Sequence, residues 1–251
     1  MRRIAVLIVA AVSLSGCALS APPVATQAPE KNTRPGPSPE GRLSIMSGGL
    51  NFDLNNPPKD WLIATSDDKV NASAVFSPLT TVTRNGVPTL EVRTGPAQSI
   101  AVRRINAMLM ATPYLNWAWN LSDHGAGIHP VRLIIGFKGG GSEKNTLKEQ
   151  LNGLPAHDRA LTLVWGDSAL RRGTLTRPDK NRPFEAAVYT VRGGRENTRK
   201  WWRDTVDLSD LYKQAWPDDE RRAIRITFIG IAAAPRMPPV RGRVSGIELS
   251  H

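Results

Sequence analysis

Cysteine is almost missing from this 251-residue chain: Cys17 stands alone, so no internal disulfide can staple the fold. Histidine is scarce too. His124, His129, His157 and His251 make neither H-x-x-x-H nor H-E-x-x-H and have no cysteine partner, which leaves no metal-binding pattern. The glycine-rich stretch "KGGGSEKN" (138–145) lacks G-x-x-x-x-G-K-[ST]; it reads as a loop between strands, not a phosphate cradle. Asp123 and His124 are neighbours, but no G-x-S-x-G elbow accompanies them. Acidic residues are few within the apolar segments. Asp167 and Glu185 are the ones near strand ends that a glycan-cleaving carboxylate pair could draw on, and a structural or solvated role fits both better. The residues therefore ask for no metal, no cofactor and no catalytic group. Long apolar runs are absent as well. The stretch Ile4–Val12 is well short of the ~20 residues a transmembrane helix needs.

The same short run has another use. "MRRIAVLIVAAVSLSGC" begins with Arg2 and Arg3, continues apolar, and ends in small residues, the layout of a secretory signal peptide. Its Leu14-Ser15-Gly16-Cys17 ending resembles the bacterial lipobox. That resemblance implies cleavage before Cys17, acylation of its thiol and of the new amine, and membrane attachment through several acyl chains. Each buried methylene contributes about 0.8 kcal/mol. In the Gram-negative lipoproteins that this ending resembles, an Asp after the cysteine commonly retains the protein in the inner membrane; Ala18 stands there instead, so the resemblance implies the outer membrane. The expected product is exported and lipid-anchored, on the periplasmic face of the outer membrane.

Residues 17–42 follow as the lipidated cysteine and a Pro-, Ala-, Ser- and Thr-rich tether with no hydrophobic periodicity. Such composition favours extended polyproline-like chain over a core. From residue 43 to 251 the pattern changes to one β-sandwich domain. Short runs rich in Val, Ile, Thr and aromatics alternate with Gly, Pro and Asn: "QSIAVRRINA", "YLNWAWNL", "HPVRLIIGF", "ALTLVWGD", "FEAAVYTVRG", "AIRITFIGIAA" and "VRGRVSGIEL". Asn85-Gly86 marks a hairpin turn. Helix is sparse: a short one within residues 143–153, and a better one over 207–216. There Asp207 can cap the first turn and Leu208, Leu211 and Tyr212 share a face. This is an all-β, jelly-roll-like sandwich with one or two short helices.

In "YLNWAWNL" (114–121) the large apolar residues Leu115, Trp117, Trp119 and Leu121 alternate with Tyr114, Asn116, Ala118 and Asn120. Side chains two apart share a strand face, so the tryptophans belong to the core. Two large indoles on one exposed face would be a costly patch. The ligand candidates on this strand are Asn116, Asn120 and Tyr114, since amides can bond sugar hydroxyls both ways. Trp201 and Trp202 are adjacent and point to opposite faces. With Arg199 and Arg203 around it, Trp202 is taken as an aromatic among cations, able to stack on a sugar.

Net charge is +11, and +9 once residues 1–16 are removed, with 31 basic and 22 acidic residues left. The excess lies late in the chain, where residues 171–251 hold 17 basic and 10 acidic residues. A basic surface attracts anionic polymers. For an exported protein these are envelope glycan, lipopolysaccharide or peptidoglycan rather than nucleic acid.

The order of the β runs resembles a bacterial envelope family known only as a domain of unknown function. There an L-x-W-x-W strand precedes an R-[VL]-x-[VI]-x-F strand, a Y-x-W strand and a W-x-x-x-x-[VN]-x-x-D-[YL] helix. Here the matching stretches are "YLNWAW", "VRLIIGF", "LTLVW" with "AAVYTV", and Trp201 or Trp202 with "VDLSDLYKQAW", within roughly residues 50–250. The resemblance implies a jelly roll shaped like carbohydrate-binding modules and brings no activity with it. Acidic positions of the family are replaced by "GIHPVR" (127–132) and "AAPRMPPVRGR" (233–243). The expectation is a non-catalytic binding or scaffolding module for an envelope glycan or anionic surface. A glycan-active enzyme, or a partner in an envelope assembly whose protein partner is unknown, are the alternatives.

Overall fold

The computed structural model describes residues 34–46, 57, 59–66, 76–79 (backbone), 89–140, 154–179, 186–220 and 223–251. Cys17, the Asn85-Gly86 turn, residues 143–153 and Glu185 lie outside them.

The alternating runs form strands, and among the described residues they pair into two sheets. One contains β1 (Leu43–Ser44), β3 (Phe76–Leu79), β4 (Thr89–Arg93), β6 (Tyr114–Leu121), β11 (Trp201–Asp207) and β13 (Arg241–Ser250), in the order β11-β6-β13-β4-β3 with β1 also on β13. The other orders β2 (Trp61–Thr65), β5 (Ser99–Met108), β12 (Arg225–Ala233), β7 (Val131–Lys138), β8 (Arg159–Gly166), β10 (Ala187–Gly193) and β9 (Leu175–Thr176) as β2-β5-β12-β7-β8-β10-β9. Pairing is antiparallel throughout except between β8 and β10. Strands close in sequence fall in different sheets, as β10 and β11 do. This is the crossing pattern of a jelly roll.

Register follows hydrophobicity. Leu115, Trp117, Trp119 and Leu121 of β6 are all buried, and the residues between them are not. Across the sandwich they meet Trp165 of β8. Trp117, Trp119 and Trp165 stand edge to face at centroid distances of 5.5 and 5.6 Å, the arrangement their ring quadrupoles favour. A second aromatic group closes one end. Phe137 packs on Tyr212 and Trp216, which the short helix α1 (Leu208–Ala215) presents. As its sequence predicts, Asp207 caps α1: its carboxylate accepts from the Asp210 backbone N–H at 2.9 Å. Leu208, Leu211 and Tyr212 are buried. In the same region Asp219 accepts two bonds from Arg159, at 2.9 and 3.1 Å, and one from the Tyr212 hydroxyl at 2.7 Å.

One strand changes partners along its length. β13 pairs with β4 over Arg241–Ser245 and with β1 over Glu248–Leu249. The switch falls at a bulge between Ser245 and Glu248, where Gly246 has φ +61°. A side chain is strained there, so glycine takes the position.

Among the described residues no helix is long and apolar enough to cross a membrane. Residues ahead of β1 are tied to both sheets: the Asn106 N–H donates to Pro35 O at 3.0 Å, and Arg42 pairs with Glu248 at 2.7 Å.

Candidate functional site

Cross-strand neighbours share a sheet face, so register alone assembles the outer surface of the first sheet. One row runs Trp201, Asn120, Arg243, Glu91 over β11, β6, β13 and β4. The next runs Arg203, Ala118, Ser245, Thr89, and beyond it Thr205, Asn116 and Glu248 line up. Tyr114 sits opposite Asp207 and Ser250 at the far end.

The strand candidates named from sequence therefore share one face, but they differ in availability. Asn116 is committed: its amide donates to Ser250 Oγ at 3.1 Å and accepts from Thr205 Oγ1 at 2.7 Å, clipping three strands together. Asn120 is half-exposed, and among the described residues its amide has no partner. Tyr114 is exposed, six residues down the strand, or about 20 Å. Arg203 is exposed beside Ala118, and its guanidinium has no partner among the described residues. Arg243 is held by Glu91 at 2.9 Å.

Trp202 is not on this face. It pairs with Trp119 on the inner side, half-buried. Its indole N–H donates to Asn197 O at 2.8 Å, and the Arg192 guanidinium lies over its ring at 4.1 Å. Trp201 takes the outward position instead, with 44% of its surface exposed beside Asn120. Val206 could have fixed this phase in the sequence. It is the apolar residue that must face inward, and stepping back by two puts Trp202 inside and Trp201 outside. The obstacle is Asp204, a carboxylate in the inward phase. The structure resolves the conflict by pairing. Asp204 accepts from Trp119 Nε1 at 2.9 Å and from Arg192 Nε at 2.7 Å, so the buried charge is neutralised and hydrogen-bonded as burial requires. Arg192 belongs to the other sheet, and this contact staples the two sheets at their edge.

Arg199 lies just before β11 with φ +63°, and its side chain approaches Asp123 at 3.7 Å. Asp123 is bonded more closely by Arg195, at 3.1 Å from each carboxylate oxygen, and by the Gly125 N–H. These donors, Arg195 first, hold its carboxyl well below the usual carboxylate range. Arg199 thus serves the loop at the edge of the face.

The other titratable candidates that the structure describes are engaged or buried. Asp167 is ion-paired with Arg171 at 3.3 Å. His124 and His129 are buried with ring centroids 4.7 Å apart. Burial, then the neighbouring His124, pushes His129 down to about 3, so it stays neutral near pH 7. Among the described residues no three His, Cys, Asp or Glu side chains cluster to hold a metal.

The model of a family described as "Protein of unknown function (DUF3047)" matches residues 68–233. No curated protein matches the chain. Among solved structures, a family 11 carbohydrate-binding module from Clostridium thermocellum, in complex with a β-1,3-1,4-mixed-linked tetrasaccharide, is similar at 12% identity. It covers 82% of this chain and 95% of that one, with a TM-score of 0.38. The xyloglucanase domain of NopAA from Sinorhizobium fredii, in complex with cellobiose, is similar at 10% identity over 70% and 92% of the two chains, again at 0.38. Endoglucanase 3 from family GH12 of Trichoderma harzianum gives 9% identity over 71% and 85%, at 0.37. Likenesses this distant say nothing of what the chain binds.

Proposed function

We propose that this chain, which belongs to the DUF3047 family of proteins of unknown function, is a lipid-anchored, non-catalytic binding module of the cell envelope. It takes a glycan on the outer face of the sheet formed by β11, β6, β13 and β4. The observation that carries this reading is the pairing of Trp201 with Asn120. An indole 44% exposed and an amide with no partner among the described residues sit side by side on a strand pair. An aromatic face covers the C–H side of a sugar ring while an amide bonds its hydroxyls as donor and acceptor. The rigid sheet beneath limits the ordering cost on binding.

The anchor rests on the sequence. Cys17 is acylated, the stretch following it is a tether, and the domain hangs from the periplasmic face of the outer membrane. Envelope glycans, peptidoglycan and lipopolysaccharide are the ligands within reach.

Sedimentation of the purified full chain with isolated peptidoglycan sacculi, and capture on immobilised lipopolysaccharide, test the binding. The reading expects retention on at least one at low salt, and absence from both would overturn it. For the anchor, Cys17→Ser should abolish palmitate labelling and release the chain from membranes; persistent labelling would refute the acylation site.

A further inference from the structure

Beside the Trp201–Asn120 row lies a pairing that the sheet has no structural reason to keep. Arg93 of β4 and Arg241 of β13 are directly opposite, on the outer face, and both are exposed. Neither guanidinium has a partner among the described residues. Like charges directly opposite on neighbouring strands destabilise a sheet. Two residues along, the same strands show the ordinary solution: Arg243 faces Glu91 and pairs with it at 2.9 Å. One row is compensated and the next is not. The arginine row is also well held. The Arg241 backbone N–H donates to Ser122 Oγ at 3.0 Å, and the Ser122 N–H donates to Arg241 O at 2.9 Å. Arg203, in the row on the other side of Trp201, and Lys200, just before it in the chain, are both exposed and without side-chain partners among the described residues.

We infer that Arg93 and Arg241 form an anion subsite, and that the glycan taken by this face is an acidic one, carrying carboxylate or phosphate groups. The inference deepens the glycan reading and rests on it. Directly opposite residues hold their Cβ atoms about 5 Å apart, so two guanidinium forks can converge on one oxyanion. Their planar donors match carboxylate and phosphate oxygens. Neighbouring strands are ~4.8 Å apart and alternate residues ~7 Å along a strand. Arg241 is two strands and one row away from Trp201, on the order of 12 Å. A chain of a few sugars stacked on Trp201 would reach it, with Asn120 between them. The uncompensated pair then makes sense as repulsion that the ligand relieves.

The test uses the full chain in detergent and two polymers of one backbone: polygalacturonate, and the same polymer fully methyl-esterified. The acidic polymer should bind at least tenfold more tightly at low salt. The double variant Arg93→Gln, Arg241→Gln should erase that preference while leaving the ester's affinity unchanged, and Trp201→Ala should weaken both polymers. Equal binding of the two by the wild type would overturn the acidic preference while leaving the Trp201 platform standing. Loss of binding to both in the double variant, with the fold intact, would overturn the division of roles. Inorganic phosphate probes the subsite without any sugar. It should raise the melting temperature of the wild type and not that of the double variant, whereas an equal effect on both would overturn the subsite. The double variant without ligand should itself melt higher than the wild type, and a lower melting temperature would mark the arginines as structural. Phosphatidylglycerol vesicles give the remaining arm. Binding to them through the arginine pair, in preference to polygalacturonate, would replace the glycan by a lipid surface and refute the ligand class.

Discussion

Two pairs of tryptophans lie against each other across β6 and β11 and have opposite fates. Trp117 and Trp119 are two apart, fall on one face, and are buried. Trp201 and Trp202 are adjacent, so the strand divides them: Trp202 pairs with Trp119 inside, and Trp201 pairs with Asn120 outside. Spacing decides whether the two members of each pair share a fate. The inner three indoles each have a fixed structural task. Trp119 donates to buried Asp204, Trp202 lies under Arg192, and Trp117 packs edge to face on Trp119 in the core. Trp201 has no such task among the described residues, and that is why it can serve a ligand.

The contrast can be broken at several points. The largest effect is expected from Trp119→Ala. It empties a core site and strips Asp204 of an indole donor, so urea unfolding should show a loss of about 4–5 kcal/mol. Arg192→Met comes next. It leaves Asp204 buried without its countercharge and uncovers one side of Trp202. Breaking such a pair from one side costs roughly 3–5 kcal/mol; the slight exposure of Arg192 places the expected loss near the lower figure. Trp201→Ala should then separate stability from binding. Its unfolding free energy should stay within about 0.5 kcal/mol of wild type, while glycan affinity falls about tenfold, or ~1.4 kcal/mol. The smallest effect is expected from Asn116→Ala. This removes the clip to Ser250 and Thr205 and should lower stability by about 1 kcal/mol with little change in glycan affinity. A binding loss larger than that of Trp201→Ala would move the site down the sheet.

Much of this architecture is written in single strands. The alternation in β6 gives its inward and outward sets, and Asp207 with Leu208, Leu211 and Tyr212 marks the helix and its cap. What the sequence hides depends on pairing between distant segments. The phase of β11 is obscured because Asp204 looks like an outward residue until Trp119 and Arg192 are seen to neutralise it. The commitment of Asn116 needs Ser250 and Thr205 beside it, and the opposition of Arg93 and Arg241 exists only once β4 and β13 are in register. Of the residues named from sequence as ligand candidates, Asn120, Tyr114 and Arg203 lie on the outer face of the sheet, Asn116 lies there engaged by Ser250 and Thr205, and Arg199 lies at its edge. Trp202 gives its place to Trp201.

The most direct test is equilibrium binding of the full chain to peptidoglycan sacculi or lipopolysaccharide, whichever retains the wild type, compared between wild type and Trp201→Ala at matched melting temperatures. The account predicts an affinity about tenfold weaker with the fold unchanged. An unchanged affinity, or a loss that appears only together with unfolding, would contradict it.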